Sequence, residues 1–515
     1  MDLDLAARSS AAEQMLLLHP GVQSAAVFSP PSSSGADRLL ALVVPAEMYL
    51  DESLDRLKAS AAALRKWKKT YDLNQSSKAA VSAPSGFNTV GWDSSFTRLP
   101  LPAEDMREWV QTSVDSILRL GAHSIYEIGC GSGLLLLRLA PHCDRYAGVD
   151  FSHEVLARLH EQLQLVPDVA SRVELMERTA DNFAGLQPRS FDAVIINSAS
   201  QYFPHSGYLA QVLENAVGLV RDGGHIFVGD VRSLPLLPAF AASVELFQAP
   251  DDLSVADLRE RSIRRLRHTP ELVLSPAWFF ALRQRLDRIA HVEIALRRGR
   301  ADNEMTRYRY NAILRVGPES EPIPVPVPVE SASADPIGRI RGRLQQSRDP
   351  FTIGCIPNAR IEKDLVTLEL LRTPDRERAV SRLRHELGRY AVHGVHPQDL
   401  FDLEAEHPGL RVLLSWSASR PDGSYDALFI PAGAPGGTAL TAPGPSPCAQ
   451  LRLANAPGQI GIRSELTERL LAHCREHLPE SAVPDRLVFV DAIPAGLDFA
   501  ACEERFPPED EPLLA

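Results

Sequence analysis

Between Ser124 and Gly133 the chain reads Ser-Ile-Tyr-Glu-Ile-Gly-Cys-Gly-Ser-Gly, an apolar run that enters a turn with glycine at Gly129, Gly131 and Gly133. Glycines let a backbone approach a nucleotide-like ligand without Cβ clashes, and a helix expected to begin near Leu134 would present its unpaired N–H groups there. Alone, such a turn also fits NAD or FAD. Glu127 changes the chemistry, because a carboxylate in the turn attracts an ammonium and repels a pyrophosphate. That points to the methionine moiety of S-adenosylmethionine. Asp150 ends the next apolar run, where a carboxylate accepts hydrogen bonds from ribose hydroxyls. Cys130 in the turn and Phe151-Ser152 after Asp150 belong to the same expected site. Asp181-Asn182-Phe183 offers an acceptor for an adenine amino group and a ring to pack on its face.

A methyl group leaves a sulfonium by in-line displacement, so the protein mainly aligns the reactants and supplies a base where the nucleophile arrives protonated. Side chains for this task belong at the C-terminal ends of the strands. Asn197 and Ser198 are expected on the cofactor side of that edge, and Gln201 and Tyr202 on the acceptor side. His205 is a candidate base, against the plainer reading of a surface histidine in a loop. Asp230 either orients or deprotonates the acceptor at the cleft floor, or pairs with Arg232 or Arg309 to shape the loop. Glu304, Arg307 and Arg309 open the last strand-like run and either reach the cleft or form a solvated edge. Trp92 and Phe96 are candidates for a lid that keeps water from the sulfonium, whereas Met106 and Trp109 read as core contacts of their helix. No metal site is expected.

The elements that must hold these residues are legible in the pattern. Short β-rich runs at Ser124–Glu127, Tyr146–Val149, Val173–Met176, Ala193–Asn197 and Ile226–Asp230 alternate with helical segments, which predicts a doubly wound α/β sheet. His291–Leu296 and Tyr308–Val316 read as its closing strands. Met106, Trp109, Val110, Val114, Ile117 and Leu118 share one face of a helix over Glu104–Leu120. Leu54 to Tyr71 reads as a charged helix and Ser76 to Gly86 as a loop. Upstream, a helix (Ala11–Leu18) and two strands (Ser24–Phe28, Leu39–Val44) around the Pro30–Gly35 loop are too few to bury a core alone, so they must dock elsewhere. Pro322 to Pro328 alternates proline with Ile and Val and marks a linker over 317–336. Beyond it, helices (Lys363–Leu371, Arg376–Tyr390, Ser464–His477) and strands (Val412–Ser415, Ala427–Ile430, Leu487–Val490) predict a smaller α+β domain.

Composition bounds the class. With 515 residues, 44% hydrophobic and 23% charged, the chain is long enough for at least two domains with real cores. A formal net charge of −12 argues against nucleic acid as substrate. Six cysteines at scattered spacings read as reduced thiols rather than a disulfide or zinc framework. No apolar run reaches the ~20 residues of a membrane helix, and the acidic start is unlike a secretory signal, so a cytoplasmic protein is the expectation.

Several segments together resemble the methyltransferase domains embedded in adenylation domains of nonribosomal peptide synthetases. They are Gly91-Trp92-Asp93-Ser94-Ser95-Phe96-Thr97, Met106-Arg107-Glu108-Trp109, the glycine turn, Ile196 through Pro204, Gly229-Asp230-Val231-Arg232-Ser233, and Asn303 through Tyr310. The resemblance covers roughly 65–316 and implies a Rossmann-like class I fold, with the fourth-strand segment on the methyl-transfer side and part of Asn303–Tyr310 at the substrate cleft. The flanks His19-Pro20-Gly21-Val22, Leu42-Val43-Val44-Pro45, Ile356-Pro357-Asn358-Ala359-Arg360, Leu414-Ser415-Trp416 and Val483 through Asp491 look like the small C-terminal subdomain of an adenylation domain. Residues 1–48 and 337–515 would then be one interrupted subdomain, with 49–122 a helical lid and linker region and 123–316 the core. Where that family carries a catalytic lysine, this sequence reads Ala495-Gly496-Leu497-Asp498, so adenylation is not expected. The implied function is S-adenosylmethionine-dependent methylation in secondary metabolism, on an amine of a small molecule or carrier-bound intermediate. O-methylation and a non-catalytic docking role for a synthetase or carrier protein are the competing readings.

Overall fold

The computed structural model describes residues 5–29, 39–45, 87–317, 329–331, 335–372, 378–432, 453–455 and 460–489. The expected helix at 54–71, the loops at 30–35 and 76–86, the proline alternation at 322–328 and the 495–498 segment lie outside them. The strands in chain order are β1 (Val22–Phe28), β2 (Leu40–Pro45), β3 (Ser124–Ile128), β4 (Arg145–Asp150), β5 (Val173–Glu177), β6 (Phe191–Asn197), β7 (Val220–Arg232), β8 (Ile289–Leu296), β9 (Arg309–Val316), β10 (Val329–Ser331), β11 (Phe351–Ile356), β12 (Arg411–Ser415), β13 (Tyr425–Ile430) and β14 (Arg486–Phe489).

The described residues divide into two compact units, one drawn from 1–63, 266–270 and 456–515, the other from 64–265 and 271–455. In the first, β1 pairs antiparallel with β2, and β2 pairs parallel with β14, so the two ends of the chain share one sheet. Leu16 and Ala12 of the helix Leu5–Leu18 pack with Val27, Ala41 and Val43 and with Leu466, Leu470 and Cys474 of the helix Ile460–His477. The upstream elements thereby obtain the core that three elements could not build alone.

The second unit is organised on a seven-stranded sheet of order β5-β4-β3-β6-β7-β9-β8. Strands β3 to β7 run parallel, and β9 joins β7 and β8 antiparallel. The central strand β6 is buried at nearly every position, as a parallel strand covered on both faces must be. On one face the helix Ala103–Leu118 seats Met106, Trp109, Val110, Val114 and Ile117 among Ile125, Tyr146, Ile195 and Phe227. Met106 and Trp109 are therefore core residues. A second sheet, β10-β11-β13-β12, lies in the same unit, with the rings of the cross-strand pair Phe351 and Phe429 stacked 5.0 Å apart. Residues 337–455 thus share the compact unit of the large sheet, a division different from the one expected at 317–336.

Three local departures bear on the site. The helix after the glycine turn spans Leu136–Leu139, two residues later than expected. Strand β7 is longer than its apolar stretch because Val220–His225 adds pairing to β6 and β9. Glu304–Arg307 form a short helix capped by the Asn303 side chain, and the last strand begins only at Arg309.

Candidate active site

The glycine turn takes the backbone where a side chain would not fit. Gly129 has φ +75°, and a Cβ there would lie 2.9 Å from the Ala199 Cβ. Gly133, at φ +81°, would put one 2.4 Å from Leu159. Gly131 lies at φ +51° and its N–H donates to Asp150 Oδ2 at 3.0 Å. The other Asp150 oxygen accepts from the Ser152 N–H at 2.9 Å, so the end of β4 is tied to the turn while Phe151 is half-buried beside it. Cys130 sends its thiol into the core toward Gly148, and burial with the nearby Asp150 and Glu127 charges pushes its pKa up. It packs rather than reacts.

Glu127, 3% exposed, accepts a 2.7 Å hydrogen bond from the Tyr146 hydroxyl. Burial pushes its carboxyl up to about 7, against that hydrogen bond and with the Asp150 charge adding to the rise. Asp181 and Asn182 are exposed, Asp181 accepting from the Tyr208 hydroxyl at 2.9 Å and Asn182 from the Ala184 N–H at 3.1 Å. Phe183 packs on Tyr126, ring centroids 5.8 Å apart, so this ring is turned onto the sheet's own core.

The edge formed by β6 and β7 is more unusual. Gly229 pairs with Asn197, and a Cβ on it would fall 2.0 Å from Asn197 Oδ1, so only glycine permits that approach. Immediately after, Ser198 (φ +54°) and Asp230 (φ +63°) both adopt the left-handed region that non-glycine residues avoid at a cost of about 1–3 kcal/mol. The β7–β9 register shifts between Val228 and Val231, which marks a bulge that re-aims Asp230 inward, its N–H donating to Asn311 Oδ1 at 3.0 Å.

Asp230 is 0% exposed. Its Oδ2 accepts from Ser198 Oγ at 2.5 Å and Arg309 Nη1 at 2.6 Å. Its Oδ1 accepts from Trp109 Nε1 at 3.2 Å and lies 3.3 Å from Arg297 Nη1. Burial alone would raise this carboxyl, but Arg309 and Arg297, with the Ser198 and Trp109 hydrogen bonds, hold it below the usual carboxylate range. The partner is Arg309, as one reading anticipated, together with Arg297, which was not anticipated. Arg232 is engaged elsewhere, with Glu271 and, at 3.4 Å, Glu304. A carboxylate so enclosed is a poor proton acceptor.

Glu304 is buried and accepts from the Ser95 N–H at 2.7 Å and Ser95 Oγ at 3.0 Å. That contact belongs to the segment carrying Trp92 and Phe96. Trp92 packs 4.6 Å from Trp109, and Phe96 meets Phe240 and Phe247 edge-on. The same segment reaches the glycine turn, where Ser132 Oγ donates to the Asn88 carbonyl at 3.2 Å. It therefore spans both ends of the site, as a lid must. A small pocket beside Arg309 is lined by Arg232, Leu237, Phe240, Glu304 and Tyr308.

Among the described residues, two buried oxygens at this edge find no hydrogen-bond partner, Asn197 Oδ1 and Gln201 Oε1. The Gln201 amide is oriented by its Nε2, which donates to the Ser198 carbonyl at 2.9 Å. Tyr202 is 36% exposed, and desolvation with the Glu271 charge pushes its pKa up. His205 caps the helix Ser206–Leu219, Nδ1 accepting from the Tyr208 N–H at 3.0 Å. That is a structural task for Nδ1, the one the plainer reading of His205 allows for.

Unpaired buried acceptors beside a cradle that only glycine can form fit S-adenosylmethionine, whose ammonium and adenine amino groups are donors. Glu127, Asp150 and Asn197 are the side chains that could hold it. Arg297, Tyr146, Ser95 and Asn311 escaped the sequence reading. Arg297 stands in the basic run Arg297-Arg298-Gly299-Arg300, a pattern usually solvated, and nothing but its place directly after an apolar strand marks it as buried.

Residues 126–226 match the family described as a methyltransferase domain. Over 508 residues, 94% of this chain, the sequence is 35% identical to chondramide synthase of Chondromyces crocatus and spans 12% of its length. Over 309 residues, 59% of this chain, it is 36% identical to a probable non-canonical nonribosomal peptide synthetase of Salinispora arenicola and spans 4% of that protein. A solved magnesium protoporphyrin IX methyltransferase from Synechocystis PCC 6803 overlaps 41% of this chain and 82% of its own, at 14% identity and a TM-score of 0.29. The chain spans a small fraction of the synthetases it matches. No helix of the described residues is long and apolar enough to cross a membrane.

Proposed function

We propose that this chain, an S-adenosylmethionine-dependent methyltransferase similar in sequence to segments of nonribosomal peptide synthetases, methylates an amine of an amino-acid or peptide intermediate, free or held on a carrier protein. When bound, S-adenosylmethionine supplies an electrophilic methyl group on a sulfonium. One observation carries the choice of nitrogen: the carboxylates of the acceptor edge are already engaged. Asp230 is held by Arg309 and Arg297, Glu304 by Ser95 and Arg232, and Glu271 by Arg232. A hydroxyl must surrender its only proton to a base as it attacks. A neutral amine attacks with its lone pair and can give up its proton to water afterwards, while an N–H donates to an acceptor such as Gln201 Oε1. Trp92 and Phe96 would keep water from the reacting centre.

The test is incubation of the full chain with S-adenosylmethionine and a panel of free and thioester-linked amino acids, with fragmentation mass spectrometry of the product. Methyl on nitrogen is expected. Methyl on oxygen would overturn the amine assignment, and absence of cofactor binding at millimolar concentration would favour a docking protein. The three-stranded unit of β1, β2 and β14 we read as a remnant of an adenylation subdomain kept for support or docking. ATP–pyrophosphate exchange should therefore be absent with every amino acid, and robust exchange would overturn that reading.

A further inference from the structure

The loop between β8 and β9 carries Arg297 at one end and Glu304 with Arg309 at the other, the charges that shape the acceptor edge. It is gripped from outside the large sheet. Arg360 follows β11 of the second sheet and is buried. Its Nη1 donates to the carbonyls of Arg297 at 2.8 Å and Thr306 at 3.3 Å, and its Nη2 to the Gly299 carbonyl at 2.5 Å. Among the described residues it forms no ion pair, and its Nε has no hydrogen-bond partner. A buried cation spent on three main-chain carbonyls of one loop is a costly arrangement for scaffolding alone. Burial lowers its pKa to about 10, which leaves it charged at neutral pH.

Its own backbone is fixed in turn, the Arg360 N–H donating to Asn358 Oδ1 at 3.1 Å. Two neighbours extend the grip: Arg298 forms a two-pronged pair with Glu404 at 2.8 and 2.9 Å, and the Tyr308 hydroxyl donates to Asp364 at 2.5 Å. Tyr308 lines the pocket beside Arg309. The second sheet and its helices therefore hold both ends of the loop and one wall of that pocket.

We propose that Arg360 is a positioning residue for methyl transfer, setting Arg297, Glu304 and Arg309 through the carbonyls of the 297–306 loop, so that residues 335–432 serve the acceptor half of the site. The inference rests on the methyltransferase reading above but not on the identity of the acceptor atom. A planar guanidinium reaches three carbonyls at once, whereas an ammonium meets fewer in the same geometry. Misplacing aligned groups by an ångström is enough to cost about 10²-fold in rate.

The test uses the full chain with Arg360→Met and Arg360→Lys. Cofactor affinity is read by calorimetry, amide hydrogen exchange across residues 297–309, and S-adenosylhomocysteine release with aminoacyl-N-acetylcysteamine thioesters. Arg360→Met is expected to keep cofactor affinity within about twofold, to speed exchange at 297–309 and not at 126–133, and to lower kcat about tenfold or more at unchanged KM for S-adenosylmethionine. Arg360→Lys should recover part of that kcat. Unchanged kcat in both variants, or a loss of cofactor affinity equal to the loss of turnover, would overturn the proposal. Should Arg360→Met fail to fold, Arg360→Lys decides alone: a reduced kcat at full cofactor affinity supports the clamp, and wild-type kcat refutes it. If the wild-type chain methylates no amine, the functional reading fails separately, and the exchange and affinity measurements still decide whether Arg360 holds the loop.

Discussion

The two ends of the site are built on opposite principles. At the proposed donor end, the glycine turn, Glu127, Asp150 and Ser152 come from one strand–turn–helix–strand stretch, and most of their bonds run to backbone or to an adjacent strand. At the proposed acceptor end, Trp109, Ser198, Arg297 and Arg309 converge from separate stretches of chain on the buried carboxylate of Asp230. The first arrangement is a binding surface that tolerates the loss of a member. The second is a buried charge network centred on one carboxylate, whose removal takes the counter-charge from two buried guanidiniums.

That contrast makes forecasts of graded size. Asp230→Ala should be the most damaging, because it leaves Arg297 buried without its counter-charge and Arg309 with only Glu304 at 3.7 Å, a loss of about 3–5 kcal/mol in unfolding free energy together with turnover. Urea unfolding checks the stability part, and a variant as stable as wild type would dissolve the network account. The sign with pH follows: since Asp230 titrates below 3.8 when folded, its stabilisation is present above that value and is lost as pH falls through the folded pKa.

Asp150→Ala and Glu127→Ala should instead fold normally and weaken cofactor binding about tenfold or more, the worth of charge-assisted contacts of about 1.5–3 kcal/mol. Calorimetry on variants with native circular dichroism reads this directly.

Glu127 also supplies a pH signature. Its folded pKa of about 7 lies above the ordinary 4.5, so its contribution to stability is full below 4.5 and is lost as pH rises through 7. Cofactor binding has the opposite sign, because the ammonium needs the carboxylate. Affinity should fall about tenfold from pH 8 to pH 6 in wild type and stay flat in Glu127→Gln. A flat wild-type profile would remove Glu127 from the cofactor site.

The smallest effect is assigned to His205→Ala. Loss of a helix cap costs about 1 kcal/mol of stability, and turnover should remain within about twofold. A collapse of turnover with intact stability would return His205 to the chemistry.

How much of this was legible in the sequence follows the same division. The glycine turn, the alternation of β3 to β5 with helices and the amphipathic helix Ala103–Leu118 depend on neighbours within a few residues, and they appear close to where the pattern placed them. Asp230 was visible as a charged residue ending a strand, but its partners were not. Arg297 joins it from 67 residues away and reads locally as part of a solvated basic run. Phe183, expected beside an adenine ring, is half-buried and packs on Tyr126, a contact with β3 that its local sequence does not signal. The grouping of 337–455 with the large sheet was hidden for a similar reason: its ties join residues far apart in the chain, some through carbonyls at Arg297, Gly299 and Thr306 that carry no side-chain signal, others through pairs such as Arg298 with Glu404.

The most direct test of the division between a donor end and an acceptor end is a side-by-side calorimetric titration of S-adenosylmethionine into wild type, Asp150→Ala and Asp230→Asn. Asp230→Asn keeps the side-chain shape and a hydrogen-bonding oxygen, so its cofactor affinity should stay within about threefold of wild type, whereas Asp150→Ala should lose about tenfold or more. Equal losses in the two variants, or wild-type affinity in Asp150→Ala, would contradict the account.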